Sequence, residues 1–350
     1  YVKRVPLSTY RAQRRGGKGR AGMTTKEEDF LTTVFIASTH TPVLFFSSAG
    51  IVYKMKVWKL PLTTPQAKGK AIINLLPLSE GDTIETILPL PEDEETWEEL
   101  HAMFVTQKGQ VRRNLLSDFS NVMSNGKIAI RMPEDDRLVS VQVCEPGNDV
   151  LLAARQGKSI RFPVKAVRLF KGRTAYGVKG MKLKKDDRII SMTILEGQKT
   201  SLEDRMAYLR AAPWKSDPAE PTLKKERMEE LAAREQFILT VTANGYGKRT
   251  SSFEYSTKGR AGMGLINIEC SERNGPVVAS FPVEDEDQIM MVTDHGKIIR
   301  TPIHDVRIAG RATQGVTLFH VAEGERVVSV AKLPPEEDDE DGEEGAEEAS

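Results

Sequence analysis

Val150-Leu151-Leu152, followed by Gly157 and then by Arg161, is the stretch that decides the fold of this 350-residue chain. It combines an apolar strand, a turn that contains a Gly, and a basic residue four positions after that Gly. Arg4 fits the place of the basic residue in a first, partial copy of the pattern. The other copies place the Gly and the base at Gly50 and Lys54, Gly109 and Arg113, Gly245 and Arg249, and Gly296 and Arg300.

A second Gly follows in each copy, before an acidic or polar turn and a β-branched strand such as Ile189-Ile190. Short strands, Gly turns and a period of roughly fifty residues are typical of a propeller-like all-β array. One blade cannot bury both of its faces, so neighbouring blades must complete its core. The sequence therefore predicts one all-β domain of six blades over residues 1–333. The second glycines are Gly69, Gly126, Gly177, Gly259 and Gly315, with Gly19 in the first copy.

One copy is lengthened by an insertion between about residues 197 and 235. Ser201-Leu202-Glu203-Asp204 has the pattern of a capping box, which starts a helix. Pro213 ends that helix, and residues 223–234 have helix-forming composition. We expect a short helical hairpin on the surface of a blade, to which the sequence assigns no function.

The formal net charge of zero hides an uneven distribution. Residues 336–350 contain ten acids and no base, so residues 1–335 carry 50 bases against 40 acids. A basic body suggests a polyanionic partner. We expect residues 334–350 to form a disordered acidic tail, which either competes for the basic surface or only aids solubility.

Several protein classes are excluded or disfavoured by composition. No apolar run approaches the roughly 20 residues that span a bilayer, and no signal-peptide stretch is evident, so a cytoplasmic protein is expected. The two cysteines, Cys144 and Cys270, exclude a disulfide scaffold. The histidines lack metal-ligand spacing, and no nucleophile or phosphate-loop motif occurs. The sequence therefore predicts a non-catalytic chain without a metal or cofactor of its own.

The densest cluster of cations and glycines is Gln13-Arg14-Arg15-Gly16-Gly17-Lys18-Gly19, whose amides and side chains can both reach phosphates. Residues 1–23 resemble the C-terminal part of bacterial DNA gyrase A, whose seven-residue box reads Q-R-R-G-G-K-G. That family has a six-bladed β-pinwheel with a G-x-x-x-[RK] element in each blade, and the resemblance covers most of the chain. Degenerate copies of the box occur at residues 257–263 and 310–315. The related protein of topoisomerase IV shares the blades but usually lacks an intact box.

The resemblance implies a domain that binds and chirally wraps double-stranded DNA without strong sequence specificity. Such a domain presents a DNA segment to a separate catalytic core for ATP-dependent negative supercoiling. The implied partners are double-stranded DNA, the catalytic core of gyrase A, and gyrase B in an A2B2 holoenzyme. ATP and Mg²⁺ are implied only for that holoenzyme. We expect the isolated domain to be monomeric and to contact no membrane.

The placement of the cations separates two kinds of function. A docking surface for an acidic protein needs a local patch with apolar anchors, whereas a wrapping surface needs cations once in each blade. The repeat favours wrapping, with a docking propeller or the corresponding topoisomerase IV domain as the alternatives. We expect the blade cations to be surface residues that contact phosphates. The predicted DNA-binding residues are Arg4, Gln13, Arg14, Arg15, Gly16, Gly17, Lys18, Gly19, Arg20, Lys54, Arg113, Arg161, Arg249, Lys258, Arg260, Arg300 and Arg311.

Overall fold

The strands of this computed structural model form five antiparallel sheets. The structure describes residues 1–6, 35, 37–64, 67–91, 93–123 and 125–333. In chain order the strands are β1 (Pro42–Ser47), β2 (Ile51–Lys56), β3 (Ile84–Pro89), β4 (His101–Thr106), β5 (Gln110–Leu115), β6 (Lys127–Ile128), β7 (Leu138–Cys144), β8 (Asp149–Ala154), β9 (Lys158–Pro163), β10 (Val178–Lys179), β11 (Ile189–Leu195), β12 (Phe237–Thr242), β13 (Tyr246–Ser251), β14 (Leu265–Ile266), β15 (Val277–Val283), β16 (Gln288–Thr293), β17 (Ile298–Pro302), β18 (Val316–Thr317) and β19 (Val327–Leu333).

Each sheet is one blade, built from a hairpin and a third strand that pairs with the first strand of that hairpin. Blades 1 to 5 consist of β1-β2-β3, β4-β5-β7, β8-β9-β11, β12-β13-β15 and β16-β17-β19. In the first four blades a two-residue fourth strand comes from the following unit: β6 pairs with β2, β10 with β5, β14 with β9 and β18 with β13. The blades are therefore interlocked by strand exchange.

The first Gly of the repeat makes this exchange possible. Gly157 has a φ of +86°, and a Cβ there would lie 2.3 Å from the carbonyl oxygen of Ile268, just after the donated strand β14. Its own carbonyl accepts from the amides of Asn267 and Ile268 at 2.8 and 3.3 Å. Gly50, Gly109 and Gly245 hold β6, β10 and β18 by the same pair of contacts. A side chain would displace the neighbouring blade.

The third strands of successive blades pack against one another, from β3 on β7 to β15 on β19. They therefore lie on the inner side of the array, and the donated strands lie on its outer edge. We call crossovers the five segments that lead from a second strand to the end of the donated strand. Each begins with a 3₁₀ turn, and they comprise residues 57–70, 116–128, 164–179, 252–266 and 303–317.

The apolar cores lie between neighbouring blades. Between blades 1 and 2 the ring of Phe46 meets those of Phe104 and Phe119, with centroids 5.6 and 6.2 Å apart. The junction of blades 3 and 4 differs, because its apolar cluster contains only Leu151, Leu195, Ile238 and Tyr255.

The insertion packs beside that smaller core. It contains helices α1 (Leu202–Ala211) and α2 (Lys225–Ala233), which confirms the predicted helical hairpin. Ser201 caps α1 by accepting from the amide of Asp204 at 3.0 Å. The buried ring of Tyr208 stands edge-on to Phe253 of blade 4, with centroids 5.5 Å apart. The insertion therefore adds apolar contact where the blade junction has least of its own.

Two predictions from the repeat need correction. The structure has five blades where the sequence predicts six; the first copy contributes Val2 and Arg4, which bridge to Lys70 and Leu62. In the fourth copy the second Gly is Gly264, which has a φ of +75° and directly precedes β14, and not Gly259. Residues 13–20, which hold the box, and the acidic tail 334–350 lie outside the described residues.

Candidate nucleic-acid interface

Arg161, the basic residue of the third repeat, lies inside the protein. Its side chain is 3% exposed, and its Nε donates to Oδ2 of Asp149, itself 4% exposed, at 2.8 Å. Its two remaining nitrogens donate to the carbonyls of Ser252 at 2.9 Å and Glu196 at 2.7 Å. Burial lowers the pKa of this guanidinium, and the Asp149 carboxylate opposes that shift. Arg161 thus joins its own blade to the start of the next crossover.

The same carbonyl-capping arrangement recurs in other repeats. Arg249 donates to the carbonyl of Val306 at 2.8 Å and pairs with Asp285. Arg4 caps the carbonyl of Leu60 at 2.9 Å. Lys54 caps that of Ser120 at 3.0 Å and pairs with Glu94 at 3.1 Å. Each of these cations therefore anchors the crossover of the following blade.

These contacts correct the predicted role of the blade cations as surface residues. Arg113, Arg161 and Arg249 are 8%, 4% and 6% exposed. A phosphate oxygen cannot reach guanidinium groups that are this buried while the blades are packed as they are here. Arg300 is exposed on β17, and Arg4 and Lys54 are half-buried. The strict recurrence of the base reflects blade packing at the three buried positions, and DNA contact stays a prediction for the others.

Exposed cations are concentrated instead on the crossovers. The third crossover, residues 164–179, contains five basic residues and no acid, and the first contains three and no acid. Lys165, Arg168, Lys171 and Lys179 of the third crossover are all exposed. The sequence analysis did not identify them, although an acid-free run of this charge was a usable signal. Because the crossovers lie on the outer edge, this charge faces outward.

Two predicted residues lie on the fourth crossover. Lys258 and Arg260 are exposed, and Arg260 donates to the carbonyls of Ala166 and Lys179, at 3.0 and 2.9 Å. The guanidinium thus joins the third and fourth crossovers into one surface. Residues 258–263 read Lys-Gly-Arg-Ala-Gly-Met, which is identical to residues 18–23 at the end of the box and directly after it. The degenerate copy is therefore much closer to the box region than its first residues suggest.

Two buried cations hold the backbone of the crossovers in place. Arg112 is fully buried and donates to the carbonyls of Arg173 and Ala175 at 2.6 and 2.7 Å, and burial lowers its pKa to about 10. Lys248 is also fully buried and donates to the carbonyls of Gly310 and Arg311. Burial lowers the pKa of its amine to about 7.

Arg311, also predicted to bind DNA, is half-buried on the fifth crossover. Its Nη1 donates to the carbonyl of Ile266 at 2.7 Å, and Glu254 accepts from its backbone amide at 2.9 Å. It connects the donated strand β14 with the following blade, so part of its hydrogen-bonding capacity is used within the protein.

Acidic residues occupy a different part of the array. The connection from blade 1 to blade 2, residues 93–99, has five acids and no base, and the connection from blade 4 to blade 5, residues 284–287, has four acids. The pairs Lys54–Glu94 and Arg249–Asp285 place blade cations against these connections. Negative charge therefore lies at the inter-blade connections and positive charge lies on the outer edge.

Within the described ranges no group of three or more His, Cys, Asp or Glu side chains is arranged to hold a metal ion. The helices in the same ranges are too short and too polar to span a membrane.

A family model described as DNA gyrase C-terminal domain, beta-propeller, matches the chain in six segments. The unmatched stretch between the fourth and fifth segments is residues 197–235, the predicted insertion. The matched segments are 1–38, 41–91, 101–145, 148–196, 236–284 and 287–334.

Curated relatives carry the name of the A protein of DNA gyrase. That of Rickettsia bellii (strain RML369-C) is 48% identical over 366 residues, which cover 100% of this chain and 40% of the relative. That of Escherichia coli (strain K12) is 40% identical over 341 residues, which cover 97% and 34%. The chain thus spans no more than 40% of the length of these two relatives.

Solved structures agree on the fold. A DNA gyrase A C-terminal domain superposes with a TM-score of 0.72 at 23% identity, covering 95% of this chain and 96% of that one. The C-terminal domain of DNA topoisomerase IV superposes with a TM-score of 0.67 at 23% identity, covering 95% and 90%. With the family match over all six repeats, this establishes that the chain belongs to the DNA gyrase C-terminal β-propeller family.

Proposed function

We propose that this chain binds double-stranded DNA along its outer edge and wraps it with a chiral sense, without strong sequence specificity. The observation that carries the proposal is the exposed, acid-free run of cations on the third crossover, continued by Lys258 and Arg260 on the fourth. Cations on a curved edge release counterions from the phosphates, and this gain offsets the cost of bending the duplex. Bending a short duplex strongly costs on the order of several kcal/mol.

The direction of the path follows from the charge distribution. The crossovers connect neighbouring blades along the outer edge, and Arg260 physically joins two of them. The acidic connections at residues 93–99 and 284–287 repel phosphates, which disfavours a path across that part of the array. No set of side chains positioned to read base edges is evident on the described crossover residues, so sequence preference would come from DNA deformability.

The wider role of the domain is part of the same proposal. Since the chain spans no more than 40% of the two gyrase A relatives, the catalytic core belongs to the remainder of such a protein. We infer that this domain is non-catalytic and presents wrapped DNA to that core and to gyrase B in the bacterial cytoplasm. ATP and Mg²⁺ would act there, and the outcome would be negative supercoiling.

Ligation of nicked circular DNA in the presence of the chain tests the proposal. Bound wraps of one hand are trapped when ligase seals the nick, so the closed circles should be shifted in linking number in proportion to the protein added. DNA that binds but closes with an unshifted linking number would overturn chiral wrapping. DNA that does not bind at all would overturn the proposal as a whole.

A further inference from the structure

Large apolar side chains are exposed mainly on the crossovers. Seven of the eleven exposed large apolar residues in the described part of the chain lie there, although the crossovers make up only about a fifth of the sequence. The hairpin turns within the blades and the acidic connections contribute none of the eleven. The seven are Trp58, Leu62, Met123, Ile128, Leu169, Tyr176 and Met263.

Cations accompany these side chains at short range. The ammonium of Lys59 lies 5.5 Å from the ring centroid of Trp58, which is 51% exposed. The guanidinium of Arg131 lies 5.4 Å from the ring of Tyr176, which is 47% exposed. Met263, 53% exposed, belongs to the same six-residue stretch as Arg260. An apolar group and a cation therefore occur together on the first, third and fourth crossovers.

The backbone beneath Met263 is held in a conformation that costs free energy. Ala261 has a φ of +68°, a region that residues other than glycine avoid. The amide of Ala261 donates to the carbonyl of Gly180 at 2.6 Å, and the amide of Lys182 donates to that of Gly262 at 2.9 Å. The loop is therefore fixed between two crossovers, and it presents Met263 outward on a rigid support.

We propose that Trp58, Tyr176 and Met263 enter the minor groove of the bound duplex and act as apolar wedges that bend it. The inference rests on the proposed function and adds the part of the DNA that these residues contact. Cations beside each wedge meet the phosphates that border the groove, and the apolar group between them meets sugars and base edges. Partial unstacking at such points bends a duplex and favours deformable pyrimidine–purine steps.

The test compares two variants of the full chain in binding to a duplex labelled with a fluorophore at each end. The wedge variant is Trp58→Ala/Tyr176→Ala/Met263→Ala. The control variant is Leu202→Ala/Met206→Ala, which removes exposed apolar side chains from the insertion (61% and 46% exposed). End-to-end energy transfer reports the bend, and a salt series reports how many phosphates are neutralised.

The wedge variant should bind about tenfold more weakly and bend the duplex less than the control does. Its slope of log affinity against log salt should be unchanged, because apolar side chains displace no counterions. A wedge variant with the affinity and bend of the control would overturn the inference while leaving DNA binding intact. If the unaltered chain fails to bind the duplex, the proposed function fails, and the inference fails with it.

Fluorescence gives an independent readout that requires no folded variant. Trp97 is fully buried and Trp214 half-buried, so Trp58 is the exposed tryptophan of the chain. Duplex DNA should quench Trp58 emission in the unaltered chain, more strongly for duplexes rich in TA steps than for A-tracts. Emission that does not change at saturating DNA would overturn the assignment of Trp58 as a wedge.

Discussion

The guanidinium of Arg161 and the carboxylate of Asp149 form an ion pair of 2.8 Å between two side chains that are each less than 5% exposed. The same guanidinium caps the carbonyl of Ser252, where the next blade's crossover begins. A residue that occurs once in each repeat, and reads in the sequence as a phosphate ligand, therefore connects two blades.

Arg161→Met should destabilise the protein by about 3–5 kcal/mol, because it leaves the buried Asp149 carboxylate without its partner. Urea unfolding of this variant checks the prediction. Arg188→Met is the matched control, since Arg188 is an exposed arginine of the same repeat, and it should change stability by less than about 0.5 kcal/mol. Equal stability of the two variants, together with a shallower salt slope for Arg161→Met alone, would restore the phosphate contact.

Gly157→Ala should cost more than Gly81→Ala, although both glycines have a positive φ. The left-handed conformation costs a non-glycine residue roughly 1–2 kcal/mol at either position. Only at Gly157 does the new Cβ also meet the donated strand, 2.3 Å from the carbonyl oxygen of Ile268; nothing lies within 4 Å at Gly81. Thermal unfolding of the two variants measures the difference, and equal losses of stability would contradict the strand-exchange role.

Lys248 should make stability depend on pH. Its pKa is 10.5 in an unfolded chain and about 7 in the folded protein, where burial outweighs the opposing effect of Glu254. Between these values the unfolded state binds more protons, so this group's contribution to the unfolding free energy rises with pH. It is least favourable below pH 7.

The free-energy difference between the unaltered protein and Lys248→Met should therefore shift in favour of the unaltered protein from about pH 6.5 to about pH 9.5. Urea unfolding of both proteins across this range measures it. The comparison cancels titrations that the two proteins share, including those of Glu254 and Glu269. A difference that stays constant with pH would mean that the amine is equally protonated in both states.

The repeat made much of the fold predictable from the sequence. The register of glycines such as Gly157 located the hairpin turns, and Ser201 and Pro213 bracketed helix α1. The donated strands were not predicted, because two residues such as Val178–Lys179 carry no periodic signal. Their partners lie in another repeat, so the pairing depends on tertiary packing.

The candidate site was less predictable than the fold. A base at a fixed register reads the same whether it faces solvent or a carbonyl, so the sequence could not reveal the burial of Arg113, Arg161 and Arg249. Lys165 and Lys171 follow no repeat and were missed for that reason. The box, Gln13–Gly19, lies outside the described residues, and its role in closing the DNA path stays a prediction.

The central claim is that DNA lies on the crossovers. Duplex affinity in a salt series tests it most directly, with Lys165→Gln/Lys171→Gln/Lys179→Gln compared with Lys215→Gln/Lys224→Gln/Lys225→Gln, two sets of three exposed lysines. The crossover variant should lose roughly 0.9 per site from the slope of log affinity against log salt, and the insertion variant should keep the slope of the unaltered chain. Equal slopes for the two variants, with both proteins folded, would contradict the account.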